Sequence, residues 1–533
     1  MTTPPRPERH FDTHAPDRVW DYVVIGSGMG GMASAALLAR MGARCLVLEQ
    51  HYVPGGFTHS FKRKRWTWDV GVHAIGEVSP RALPGRILQD LTRGRLEWSS
   101  LGTVYDEFHF PDLRLDFPDS QKQFEHVLCD AFPSETAPIR TYLARTREIS
   151  TAMRSYYAAK MLPPAWAPFA GRVLAARAQH ELNRRTVDVL NELTTNKRLQ
   201  SVLTAQWGYY GSTPDRSSWA AHALVARHFL HGAFYPVGGA GRIADALLAT
   251  IAEAGGWTRI RADVSQIVVR DGAAVGVQLA SGETIRAGRV ISAAGAVATV
   301  KKLLPPEERA KPWVQSIAAL GSSPPHLCLY LGFKGDIRAA GATPANKWFY
   351  EVWDSDAAYW NAVDPKAEAP VLYCSFPSLK DPLHHPGPEN LHTGEVVTFV
   401  PYGAFERWRE TRWMKRGDDY EAFKQSVQER MLAQFFRHMP GLRDLVVHAE
   451  LSTPLSTEWF ARSTEGAIYG LEHTPARFAN PYLRPRTPVR NLFLSGSDVS
   501  MGGVMGAFMG GVLSAASAEP TKTVAYARKL FGR

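Results

Sequence analysis

The 533-residue chain is 45% hydrophobic and 21% charged. That is an ordinary globular balance, which argues against a largely disordered protein and leaves material for about two to four domains. A net charge of +10 comes without a basic low-complexity run or a nucleic-acid-binding signature, so no nucleic-acid partner is expected and only an anionic membrane surface stays open.

Residues 1–17 are polar and proline-rich and read as a flexible arm, with no apolar run that could act as a signal peptide. Next, "DYVVIGSGMGGMASAALLARMGARCLVLEQ" predicts a strand from Asp21 to Ile25, a helix from Met32 to Met41 and a second strand from Arg44 to Glu49. Gly26, Gly28 and Gly31 form GxGxxG between strand and helix, with Ser27, Met29 and Gly30 at the intervening positions. The three glycines permit a tight turn, close approach to a pyrophosphate, and helix–strand packing at a helix N-terminus that favours anions. Glu49, followed by Gln50, stands about 20 residues on, where a carboxylate accepts ribose hydroxyls. A dinucleotide site is expected here. In "WDVGVHAIG", Asp69, Gly71 and His73 alternate with apolar residues and share a face of an extended segment. His73 is the candidate proton donor, with Asp69 beside it, and an imidazole satisfied in the core is the alternative.

After the hairpin-like "VYDEFHFPDLRLDF", residues 119–233 read as mainly helical. Within them "KMLPPAWAPFAGRVLAAR", from Lys160 to Arg177, sets Trp166 and apolar residues between Lys160, Arg172 and Arg177. It reads either as plain helix–loop–helix or as a segment that dips into lipid headgroups. The cluster Gly238, Gly239 and Gly241 follows Tyr235–Pro236, which breaks any strand. A loop capping a helix from Arg242 to Ala254 is therefore expected, not a second dinucleotide site. Asp271–Gly272 and Ser281–Gly282 mark hairpins. Residues 301–485 mix strands ("HLCLYLGF", "EVVTFVPY") with helices ("YEAFKQSVQERMLAQFFRHM"). Finally "NLFLSGSDVSMGGVMGAFMGGVLSAA" is uncharged from Val499 to Ala516, long enough for a membrane span. Its glycines, each costing ~1 kcal/mol in a helix, point instead to a buried helix pressed against something. Cys45, Cys129, Cys328 and Cys374 show no CxxC or metal-ligand spacing. No metal centre or disulfide framework is expected, and a reducing cytoplasm is the expected setting.

The Gly55–Gly56 pair just past Glu49 resembles the second part of the signature of glutathione-reductase-type FAD proteins, and "NLFLSGSD" resembles their closing FAD motif. The resemblance implies FAD as cofactor and an α/β fold: a Rossmann-like FAD-binding domain with an interleaved α+β substrate domain, amine-oxidase-like in architecture. The FAD-binding domain would comprise residues 18–80, 234–300 and 486–533, and the substrate domain residues 81–233 and 301–485. It further implies Asp498 on the ribityl chain, with Gly496, Gly503 and Val504 facing pyrophosphate or flavin. The backbone near Val264 would meet the adenine, and Ala294 would lie in the turn leading out of the domain. In combination, these stretches together with "FYPVGGAGRIADALL" and "TPLSTEWFARSTEGAIYG" look like the retinol saturase and carotenoid isomerase branch of the phytoene-desaturase-like flavoproteins. One departure is that Phe57 and Thr58 stand where retinol saturases often carry cysteines.

What this branch implies is hydride exchange at flavin N5 across a C=C bond of an apolar polyene or isoprenoid lipid, retinoid- or carotenoid-like. Glu465 and Tyr469 would approach the flavin. Trp66, Trp68, Trp207, Tyr209, Tyr210, Phe234 and Tyr235 are the candidates for an aromatic substrate slot. Without a second nucleotide fold, electrons would pass to or from a quinone, oxygen or a separate redox protein. The expected location is cytoplasmic, with peripheral contact at the inner face of the membrane left open. A redox-neutral cis–trans isomerase, a flavin-free prenyl-lipid carrier of the same fold, and an amine oxidase are the competing readings.

Overall fold

The computed structural model describes residues 10–162, 167–353 and 359–532, with no side-chain description at 167, 168 and 172. Short β-branched runs, buried on both faces as parallel strands require, build the first sheet. Val23, Val24 and Val47 are fully buried in it. Its parallel strands lie in the order Phe11–Asp12, Trp257–Arg259, Cys45–Leu48, Trp20–Ile25, Thr284–Ser292 and Leu492–Leu494. Strand Thr284–Ser292 pairs with Leu492–Leu494 through its C-terminal half. Through its N-terminal half it pairs with Ala273–Leu279, which continues antiparallel to Val264–Arg270. The turns at Asp271–Gly272 and near Ser281–Gly282 make this meander.

Two sequence expectations fail here. Residues Phe11–Asp12 do not belong to a free arm. The open edge of the parallel sheet offers backbone donors and acceptors that they fill, and Trp257 Nε1 and Arg259 Nε donate to the carbonyls of His14 and Thr13 at 2.9 and 3.0 Å. A strand also precedes the second glycine cluster, because Phe234–Pro236 pairs with Trp98–Ser100. It lies outside the first sheet, and Pro236 sits at its end, where a missing N–H costs little.

The second sheet runs Val446–Ser452, His326–Lys334, Leu391–Phe399, Val371–Ser375, Asn346–Tyr350, Val104–Phe110, Leu113–Pro118. Only the Asn346–Tyr350/Val104–Phe110 pairing among these is parallel. It thus joins strands from both long stretches that separate the parts of the first sheet. Helix Gln121–Ala131 packs on its edge strand Leu113–Pro118, and helices Thr136–Met161 and Trp219–His228 pack on one another.

Helix Gly503–Ala518 is the glycine-rich segment, and it packs on helix Met29–Arg40. A Cβ on Gly511 would overlap the carbonyl of Gly30, one on Gly510 that of Gly496, and one on Gly31 that of Gly26. Ser34 Oγ sits in this seam, 2.9 Å from Ser495 Oγ and 3.0 Å from the Gly511 carbonyl oxygen. Among the described residues no helix is long and apolar enough to cross a membrane. The segment Lys160–Arg177 is only partly described: Trp166 and the side chain of Arg172 lie outside the described residues. Lys160 does not reach outward, since burial brings its ammonium against the Val499 carbonyl at 3.1 Å. Gly511→Ala should therefore cost about 1–3 kcal/mol and lower Tm in thermal unfolding. Gly403→Ala, where a Cβ meets open space, should stay within about 0.5 kcal/mol of the parent.

Candidate active site

A cavity of about 640 Å³ opens along the C-terminal ends of the first-sheet strands and continues beneath the second sheet. The loop after strand Trp20–Ile25 must turn sharply into helix Met29–Arg40, whose N-cap Gly28 supplies no side-chain cap. Helix Gly503–Ala518 begins on Gly502, also without one. Two helix N-termini with unsatisfied N–H groups thus open on the same cavity, an arrangement that suits a pyrophosphate. Nothing stands within 4 Å of a Cβ built on Gly28 or Gly503, so backbone can approach a ligand at both. Gly26, Gly28, Met29, Gly30, Glu49, Gln50, Gly56, Val264, Ala294, Gly496, Asp498, Gly503 and Val504 all line the cavity.

Ser27, Gly31 and Gly55 do not line it. Ser27 acts through Glu49: its N–H and hydroxyl donate to Oε2 at 3.0 and 2.5 Å, and the Gly55 N–H donates to Ser27 Oγ at 3.0 Å. Among the described residues Oε1 receives only His51 N, at 2.7 Å, which leaves a lone-pair site for a ribose hydroxyl. Asp498 is held similarly, Oδ2 by the Ala296 N–H at 2.7 Å and Oδ1 by the Leu471 N–H at 2.9 Å. It fastens three chain segments at the cavity wall. These free positions and uncapped helices fit FAD.

The chamber beneath the second sheet is aromatic. In a strand, alternate residues share a face. His326 and Tyr330 on one strand, Val397 and Phe399 on the next, Tyr373, and Trp348 all turn into it. Period two in "HLCLYLGF" and "EVVTFV" was the signal for these residues, and sequence reading passed over it.

Of the expected slot residues only Tyr209 lines the cavity. Trp66 and Trp68 face away into the second sheet: Trp68 Nε1 donates to the Leu331 carbonyl at 2.9 Å, and Trp66 stacks on His448. Trp207 is fully buried against Phe399, and the Tyr210 hydroxyl pairs with His222 Nδ1 at 3.2 Å. Phe234 and Tyr235 are taken up by the strand pairing with Trp98–Ser100.

Among the four expected catalytic residues, His73 and Tyr469 line the cavity, and Asp69 and Glu465 do not. Asp69 is buried beneath the wall. It accepts from Ser60 Oγ at 2.9 Å, the Ala240 N–H at 3.1 Å and the Tyr235 hydroxyl. Burial, then the nearby Glu395, pushes its carboxyl up to about 6. Glu465 sits in a left-handed backbone turn (φ 55°, ψ 32°), which carries its side chain away from the cavity. His73 Nδ1 lies 2.9 Å from Glu395 Oε2. Burial and the Lys380 charge hold His73 down to about 3, and burial holds His326 to about 4, so both imidazoles are neutral. Among the described residues no group of His, Cys, Asp or Glu could hold a metal ion.

Residues 29–518 match the family model of flavin containing amine oxidoreductases. The chain is 33% identical over 514 residues to an all-trans-retinol 13,14-reductase of Danio rerio, covering 92% of this chain and 84% of that protein. It is 28% identical over 469 residues to a prolycopene isomerase of an Oncidium hybrid cultivar, covering 85% and 75%. Among solved structures, cyclohexylamine oxidase from Brevibacterium oxydans IH-35A shares the fold with a TM-score of 0.59 at 16% identity, covering 96% of this chain and 100% of that one. With an FAD cradle built by its own two ends, the chain belongs to the family of flavin containing amine oxidoreductases, in the branch that holds the retinol reductases and prolycopene isomerases, and it is an FAD-dependent oxidoreductase.

Proposed function

We propose that the protein adds hydrogen across a C=C bond of an apolar polyene or isoprenoid lipid, retinoid- or carotenoid-like. The carrying observation is one cavity that joins the dinucleotide cradle to a chamber walled by Tyr209, Trp348, Tyr373 and Phe399. Flat aromatic walls suit a flat conjugated chain and exclude water from it. Bound FAD would supply hydride transfer at N5. The protein's own part is to hold the double bond in place and move a proton, and His73 at the wall is the residue for that. Saturation is favoured over isomerisation by the higher identity to the retinol reductases. Electrons for this reduction would come from a quinol or a separate redox protein. Phe169 and Val173, 77% and 80% exposed, offer a peripheral membrane contact for a lipid substrate.

Four measurements follow from this reading. Glu49→Ala should weaken FAD binding roughly 10- to 100-fold, as loss of a charged hydrogen bond predicts, in a titration of apoprotein followed by flavin fluorescence. Dithionite-reduced protein without oxygen, given all-trans-retinol and prolycopene in turn, should yield a product two hydrogens heavier with a blue-shifted spectrum. An isomer of unchanged mass would replace saturation with isomerisation. His73→Gln should keep the bound-flavin spectrum and slow the reaction roughly 100-fold. Phe169→Ser/Val173→Ser should lower the fraction of protein that sediments with anionic phospholipid vesicles.

A further inference from the structure

Adding hydrogen to a double bond takes a proton as well as a hydride, and that proton must reach carbon inside an aromatic-walled chamber. A neutral imidazole has one N–H to give and must be refilled as it gives it. His73 turns Nδ1 away from the cavity toward Glu395, which leaves Nε2 to meet a substrate.

Glu395 lies at the middle of the second sheet, opposite Tyr330 on one neighbouring strand and Ser375 on the other. Its side chain is fully buried. Oε1 accepts from the Asp69 N–H at 3.2 Å, and Oε2, 2.9 Å from His73 Nδ1, has no aligned hydrogen bond among the described residues. Next to it Lys380, also buried, donates to the His73 carbonyl at 2.7 Å, Asn346 Oδ1 at 2.5 Å and Ser375 Oγ at 2.7 Å. The Asn346 amide extends this network to Asp106 Oδ1 at 2.9 Å and the Tyr209 hydroxyl at 3.1 Å. One lysine thus stands among three buried carboxyls, directly behind the imidazole that lines the cavity.

The titratable groups facing Glu395 are Asp69 and His73, Tyr235, Cys328 and Tyr330, Tyr373, and Lys380. Only Lys380 among them can carry positive charge at neutral pH. Burial pushes Glu395 up to about 8, with Lys380 pulling the other way. Burial also brings Lys380 down to about 7. At neutral pH the proton therefore rests on Glu395 and not on His73.

We propose that Glu395 is the proton store of this site, refilling His73 through Nδ1, with Lys380 stabilising the carboxylate left behind. The inference rests on the double-bond reductase reading. Bound reduced FAD would supply a hydride to one carbon, and the Nε2–H bond of His73 breaks as its proton joins the neighbouring carbon. The Glu395 O–H bond breaks in turn and its proton joins Nδ1. The imidazole stays neutral with its tautomer exchanged, and Glu395 ends as a carboxylate beside Lys380; once the product leaves, solvent protonates Nε2 and Nδ1 returns its proton to Glu395, which restores both groups for the next cycle. Glu395 acts through His73 and does not itself touch the substrate.

The test begins without substrate. Infrared spectra of the holoenzyme should show a protonated-carboxyl band at pH 7 that titrates near pH 8 and is missing in Glu395→Gln. With dithionite-reduced holoenzyme and all-trans-retinol, the single-turnover rate should fall above about pH 8 in the parent, because Glu395 then holds no proton. Glu395→Gln should be roughly 100-fold slower and lack that alkaline limb. Glu395→Asp still carries a proton and should keep both band and limb, which covers the case in which the glutamine variant does not fold. A parent inert toward retinol but carrying the band would sink the reductase reading and still place the proton on Glu395. Absence of the band from the parent, its persistence in Glu395→Gln, or an unchanged alkaline limb in that variant would overturn the proposal.

Discussion

Everything on the cofactor side depends on two helices touching through bare backbone. Helix Met29–Arg40 and helix Gly503–Ala518 can lie this close only because Gly30 and Gly511 carry no side chain at the points of contact, while bare Gly31 and Gly510 let the same helices rest on the carbonyls of Gly26 and Gly496. The glycines weaken each helix taken alone. In return both N-termini open on the same cavity. Ser34 and Ser495 satisfy each other within the seam, so the close approach leaves neither hydroxyl unpaired. Asp498 adds a second clasp, drawing the turn at Ala296 and the chain at Leu471 to the closing motif.

This explains which parts of the molecule were legible in its sequence. A backbone that must approach a ligand or another backbone writes glycine at fixed spacing, and an acid at a strand end writes itself equally plainly. The nucleotide cradle could therefore be read from Gly26 to Glu49 and again at Gly496 and Asp498. Membrane-like hydropathy at Val499–Ala516 was answered by the same glycines. The substrate chamber left no such trace. Trp66 and Trp68 look like a slot because they are large and close in sequence, yet period two assigns them a shared face without saying which way it turns. Tertiary pairing with strand His326–Lys334 decided that they turn away. The residues that do face the chamber come from strands distant in sequence, and only the register of the second sheet gathers them. Local pattern also misjudged the chain start, because an open sheet edge recruits whatever backbone can reach it.

Electrostatics divides the cavity in two. Toward the glycines, donors from helix ends and a free lone pair on Glu49 await a charged, polar ligand. Beneath the second sheet, burial drives groups to their neutral forms: His73 and His326 lose charge, while Asp69, Asp106 and Glu395 are pushed upward. A charge there would bear a large desolvation penalty, and the chamber therefore favours an apolar guest. Lys380 is drawn the same way, down to about 7, and its three oxygen acceptors hold the ammonium that remains.

The order of strands in the first sheet also bears on how the protein is made. Strand Trp20–Ile25 is flanked by Cys45–Leu48, which leaves the ribosome soon after it, and by Thr284–Ser292, which leaves far later. Leu492–Leu494 and helix Gly503–Ala518 come later still. The cradle's first glycines must therefore wait until that helix has been made for the segment that completes them. During that interval an apolar strand edge and a glycine-faced helix stand uncovered, the condition under which nascent chains aggregate or need chaperones. FAD cannot find a finished cradle until helix Gly503–Ala518 has emerged, so cofactor capture is a late checkpoint relative to the folding of the first strands.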